Sequence, residues 1–169
     1  MKGLEGVEDV LPLTPLQQGM LFHTLYTPES PVYNLQVELA LEGDLDEVAL
    51  EKAWLTLVER HTALRTSFVW ERVERPYQVV LHHAPLQIER HDWRTLNGAE
   101  QDERRRTCLE ENRTRLFDLA KPPLMRLTVI VLSDREFRLV WTFHHIVLEG
   151  WSAAIILGEF WKCYGDLCV

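Results

Sequence analysis

The sequence predicts an α+β fold in which a mostly antiparallel central sheet is flanked by helices. Three observations carry that prediction. The chain has 169 residues, 46% of them hydrophobic and 26% charged, which is enough for one sizeable core. Two β-rich runs, 124–132 and 136–143, are separated only by Ser133-Asp134-Arg135, so they pair antiparallel and lie centrally. Elsewhere the apolar period switches from two to the helical spacing, most clearly over residues 46–60.

The elements follow in order. Thr14-Pro15-Leu16-Gln17 fits a capping box with proline at the first helical position, which starts a helix over 15–26. Its apolar residues Leu16, Met20, Leu21, Phe22 and Leu25 wrap broadly and imply burial. Val37, Leu39 and Leu41 alternate with Glu38, Ala40 and Glu42, the pattern of a strand with one wetter face. Over 46–60, Leu50, Ala53, Trp54, Leu57 and Val58 form one helical stripe, with acids in the first turn and Arg60 in the last. Segments 65–70 and 76–82 read as strands of a hairpin joined through a charged stretch. Residues 99–116, dense in Glu, Arg and Asn, form a surface helix burying a narrow edge, its charges a solvated face. The last element is a helix over 151–164 carrying Ile155, Ile156, Phe160 and Trp161.

Composition excludes several classes. A formal charge of -8 and a pI near 5.4, with no basic patch, disfavour a nucleic-acid partner. No stretch approaches the roughly 20 apolar residues of a membrane helix, and the start lacks the apolar segment of a secretory signal, so a cytoplasmic location and no membrane partner are expected. Cys108, Cys163 and Cys168 are odd in number and lack CxxC spacing, which reads as free thiols rather than disulfides or a zinc knuckle.

The chemistry concentrates in His144-His145-Ile146-Val147-Leu148-Glu149-Gly150, after an apolar run and before Trp151-Ser152. If the strand persists through both histidines, His145 shares a face with Phe137, Leu139, Trp141 and Phe143, and His144 shares the other with Val140 and Thr142. Only one of them can line a given cleft, where a neutral imidazole accepts a proton from an attacking nucleophile. The competing reading is a pair of hydrogen-bonded histidines at the edge of a core. His145 and Glu149 have helical i, i+4 spacing, but the strand context and the lack of a third ligand argue against a metal.

Several motifs together resemble the condensation domains of nonribosomal peptide synthetases, members of the chloramphenicol acetyltransferase-like acyltransferases. Leu13-Thr14-Pro15-Leu16-Gln17-Gln18-Gly19-Met20-Leu21-Phe22-His23 is similar to the first family motif. Arg60-His61-Thr62-Ala63-Leu64-Arg65-Thr66-Ser67-Phe68 is similar to the second, RHxxLRTxF, and residues 144–150 to the third, HHxxxDG, with Glu149 in place of aspartate. Phe117-Asp118-Leu119 and Pro123-Leu124-Met125-Arg126 resemble the segment leading into the central strand. The match runs from about residue 7 to 164, in family order.

The resemblance implies amide-bond formation between two aminoacyl or peptidyl thioesters, each on the phosphopantetheine arm of a carrier protein, with no cofactor bound by the chain itself. His145 would face the tunnel where the arms meet, as general base or as a positioning group, and His144 would be structural. The acidic position, here Glu149, would pair with Arg60 and hold the active-site loop. Arg65 would be a further structural cation. Gly150 would leave room for the thioester arm, its amide lying where charge develops. Leu148, where serine is common for L-configured donors, leans toward a D-configured donor. The first motif differs from that of the related epimerisation domains.

Family members have two similar lobes, so the resemblance assigns residues 1–169 to the N-terminal lobe, without a C-terminal one. Such a lobe is an excised piece of a synthetase, a natural remnant, or a unit completed by another chain or by self-association. It is either the catalytic half of the domain or a docking module for a carrier or a neighbouring synthetase domain. A module that meets a partner should expose an apolar patch beside the His145 strand.

Overall fold

A computed structural model describes residues 6–169, and these described residues form seven strands and four α-helices. They are β1 (Val7–Pro12), α1 (Pro15–Tyr26), β2 (Asn34–Glu42), α2 (Glu47–Arg60), β3 (Thr66–Val69), β4 (Tyr77–Leu81), β5 (Ile88–Asp92), α3 (Gly98–Thr114), β6 (Met125–Val131), β7 (Glu136–His144) and α4 (Gly150–Leu167). The central sheet has the order β2-β7-β6-β5. β7 is antiparallel to both neighbours, and β5 joins the edge parallel to β6. The 136–143 strand expected from sequence is therefore central.

Strand alternation sorts the layers. Leu139, Trp141 and Phe143 face a core shared with α2 and α4, whose contributions include Leu50, Trp54, Leu57, Ile156 and Phe160. The opposite face carries Val140 and Ile130 against Trp93 and Cys108 of the α3 side. Trp54 is fully buried, its ring 4.9 Å from Phe160 and 5.2 Å from Trp141. Gly43, at φ 123°, turns the chain out of β2, and its N–H donates to Arg135 O at the far end of β7.

The hairpin pairs as expected, Thr66 opposite Val80 and Val69 opposite Tyr77, but it belongs to a second sheet of order β1-β4-β3. A third core lies between this sheet and α1, formed by Leu13, Met20, Leu21, Phe68, Leu119, Leu124 and Ile146.

The burial expected of α1 is corrected. Its capping box forms as read, Thr14 accepting from Gln17 N–H and Gln17 from Thr14 N–H. Only Met20 and Leu21 are buried, while Leu16, Phe22, Leu25 and Tyr26 are 46–75% exposed. The helix lies on the small sheet by one side, and its apolar circumference is wider than that contact. Phe22 and Tyr26, one turn apart, stack with centroids 6.0 Å apart.

Candidate functional site

β7 ends at His144, so the strand does not persist through both histidines. His144 N–H donates to Leu124 O (3.0 Å) and His145 N–H to Tyr33 O (2.8 Å), which ties the strand end to both sides. The chain then turns. Val147 N–H donates to His144 O (3.2 Å), and Ile146 N–H donates to His144 Nδ1 (3.1 Å). Buried Ile146 and Leu148 anchor the turn in two different cores.

His144 is buried on the Val140/Thr142 side, as alternation predicts, with its ring against Tyr33 (5.8 Å) and edge-on to Phe117 (6.3 Å). Because Nδ1 accepts a backbone N–H, the proton of the neutral ring sits on Nε2. Burial, with a smaller push from His145, lowers its pKa from 6.5 to about 4. An unfolded chain therefore takes up a proton near pH 6.5 that the folded chain refuses until about pH 4. The stability from the neutral ring is complete above pH 6.5 and is lost as pH falls towards 4, on the order of 3 kcal/mol at about 1.4 kcal/mol per pH unit. Urea midpoints at pH 7 and pH 5 should differ accordingly, and a His144→Gln variant should flatten that part of the slope.

His145 lies past the strand, half-buried, with Nδ1 2.8 Å from Leu148 O. A carbonyl can only accept, so Nδ1 carries a proton, and in the neutral ring the Nε2 lone pair has no donor among the described residues. As neutral rings the two imidazoles of this turn are thus opposite tautomers, His144 facing the interior and His145 half-buried.

Gln17 reaches this turn. Besides closing the α1 cap, its Nε2 donates to Ile146 O (3.3 Å) and to Gln78 Oε1 (3.2 Å). The sequence marks Gln17 only as a capping residue. Its second role depends on α1 lying beside the turn.

The expected brace between Glu149 and Arg60 is absent, and this corrects the sequence reading. Arg60 Nη1 pairs with Glu159 at 2.8 Å, and His61 Nε2 lies 3.0 Å from the same carboxylate. Both neighbours hold the Glu159 pKa below its usual value. Glu149 is exposed and precedes α4 without a side-chain cap. α4 packs along α2, so the end of α2 meets α4 at Glu159, about 15 Å along the axis from Glu149 at 1.5 Å per residue. An arginine side chain does not span that.

Arg65 is the buried cation of the second motif. Its guanidinium binds Val58 O (2.9 Å), Glu59 O (3.1 Å), Leu81 O and the Glu8 carboxylate, pinning the end of α2 to β4 and β1. Gly150 is the first residue of α4, and a Cβ built there meets nothing within 4 Å. Nothing in the described chain demands glycine at that position. Among the described residues no three His, Cys, Asp or Glu side chains form a metal-binding group, and no helix is long and apolar enough to cross a membrane.

The model of the condensation domain family matches residues 7–168. The chain belongs to the condensation domain family. Among curated relatives it is 46% identical over 161 residues to a linear gramicidin synthase from Brevibacillus parabrevis, covering 95% of this chain and 3% of that protein. It is 35% identical over 163 residues to surfactin synthase subunit 3 of Bacillus subtilis (strain 168), covering 96% of this chain and 13% of that protein. The fold matches the starter condensation domain of the rhizomide synthetase RzmA with a TM-score of 0.85 at 17% identity, over 95% of this chain and 38% of that one. It matches the first condensation domain of the CDA synthetase with a TM-score of 0.83 at 20% identity, over 94% and 40%. The condensation-domain chain thus has the chloramphenicol acetyltransferase-like fold expected from sequence, and it spans a small part of the synthetases it resembles.

Proposed function

We propose that the chain is the N-terminal lobe of a nonribosomal peptide synthetase condensation domain, and that His145 is its proton acceptor in amide formation. The acceptor amine adds to the donor thioester carbonyl, and the carbon–sulfur bond breaks. The amine proton passes to His145 Nε2 and on to the leaving sulfur, which departs as a phosphopantetheine thiol. The carrying observation is the His145 Nδ1 contact with Leu148 O, which fixes the tautomer this step requires. The chain binds no cofactor of its own in this reading, and a cytoplasmic site of action goes with it. A cavity of about 180 Å³ lined partly by His144 and Phe117 lies on the other side of the turn and does not include His145.

A second reading, a docking module without chemistry, is favoured by the exposed face of α1 and by Trp151 (81%) and Ile155 (59%) at the start of α4. The experiment supplies the rest of a condensation domain in trans, with donor and acceptor carriers loaded as thioesters, and follows the acceptor carrier by intact mass. A gain equal to the donor acyl group supports catalysis. Carrier capture without any mass gain supports docking alone. Serine at both Phe22 and Tyr26 should weaken carrier binding about tenfold or more, since interface aromatics are common hot spots, while leaving the unfolding midpoint in place because both rings are exposed.

A further inference from the structure

The sheet face that carries His144 also grips the end of α3. The last carbonyls of a helix have no intrahelical N–H, and side chains from the neighbouring strands take up those of Asn112 and Arg113 here, together with the carbonyls of Arg115 and Leu116 just past the helix. Asn34 Nδ2 donates to Arg113 O (2.9 Å) and Arg115 O (3.1 Å). Arg126 Nη1 donates to Asn112 O (3.2 Å) and Arg115 O (2.7 Å), and its Nη2 to Leu116 O (3.3 Å). Asn34 stands opposite His144 in the β2–β7 register, and Arg126 opposite Thr142 in the β6–β7 register.

Arg126 is 9% exposed and forms no ion pair with a carboxylate among the described residues. Its charge rests on the negative end of the α3 dipole and on the face of Phe117, 3.9 Å from the ring centroid. Phe117 in turn stands edge-on to His144, with Tyr33 on another side of that ring. A ring flip of His144 would put a carbon where Nδ1 accepts the Ile146 N–H, and the turn would lose that bond. What holds Phe117 in place therefore bears on the turn that aims His145.

We propose that Arg126 is a positioning residue: by clamping the carbonyls of Asn112 in α3 and of Arg115 and Leu116 just after it, and the face of Phe117, it fixes the His144 ring and, through Ile146, the turn that presents His145. This rests on the reading of His145 as the proton acceptor. Lysine cannot replace it fully, because a single ammonium does not reach three carbonyls as a planar fork does.

The test is made on the chain with ¹⁵N-labelled histidine, where long-range proton–nitrogen correlations show which ring nitrogen carries the proton. The native chain should show His144 protonated only at Nε2 and His145 only at Nδ1. In Arg126→Met both rings should become tautomer mixtures with cooperative unfolding retained, and Arg126→Lys should lie between. In the reconstituted reaction Arg126→Met should lower kcat about tenfold to a hundredfold, the scale of a small misplacement, with KM for the carriers within about twofold. A folded Arg126→Met with native tautomers overturns the proposal. So does an undiminished kcat in that variant when His145→Ala is slow. If His145→Ala is as fast as the native chain, the reading of His145 fails instead, and the tautomers alone decide the brace. Should Arg126→Met not fold, Phe117→Leu keeps the clamp on α3 and removes the ring, and it is read in the same way.

Discussion

Replacing His145 with alanine is expected to slow amide formation by about a hundredfold to ten-thousandfold, the range for loss of a positioned general base. The unfolding midpoint should stay nearly constant, because the ring is half-buried and its side-chain bond among the described residues is to Leu148 O alone. Steady-state rates of the reconstituted reaction, with native chain and variant loaded equally, give the ratio. Glutamine separates the two roles the family resemblance leaves open. His145→Gln can hold a hydrogen bond to the amine but cannot take its proton at neutral pH. A Gln variant close to native speed assigns positioning, and one as slow as alanine assigns proton transfer.

The second large effect lies in the core. Trp54→Ala removes the ring between Phe160 and Trp141, at a site with no exposed surface. Tryptophan-to-alanine changes in cores cost about 3–5 kcal/mol, which for a chain of this size lowers Tm by roughly 6–20 °C. Differential scanning calorimetry reads the shift. Trp54→Phe should cost much less, because the indole N–H it removes has no acceptor among the described residues. α2, α4 and β7 meet at this ring. Its loss should also raise amide hydrogen exchange along α4, which begins at the last residue of the histidine motif.

Legibility differs by element for physical reasons. α1 starts and stops where the sequence says, because a capping box and an N1 proline are local signals. The β6–β7 pair and the α2 stripe are likewise written in periodicity. β5, Ile-Glu-Arg-His-Asp, is not legible: it is short, polar and at an edge, and it exists by pairing parallel with β6. β1 is equally hidden, because its register slips between Val7 and Asp9 and all but its first residue are exposed.

At the site, alternation along β7 puts His144 on the Val140 and Thr142 side, where it is found, since side-chain direction along a strand is local. The partner of Arg60 cannot be read that way. It depends on how far along α4 the end of α2 arrives, which no residue near position 149 encodes. The contact of Gln17 with Ile146 O and the roles of Asn34 and Arg126 give no sequence signal for the same reason: each acts on a carbonyl brought to it by tertiary packing.

The bond from His145 N–H to Tyr33 O joins two segments separated by most of the chain. β2 and β7, which it extends, pair just as non-locally, so loop-closure entropy must be overcome before that ladder gains anything. β6 and β7, by contrast, meet across a short turn and can form early. During synthesis the β2 strand leaves the ribosome long before its partner exists, and it must wait with an unpaired edge. The histidine turn is thus expected to be a late contact in folding, formed only once β2 and β7 have paired.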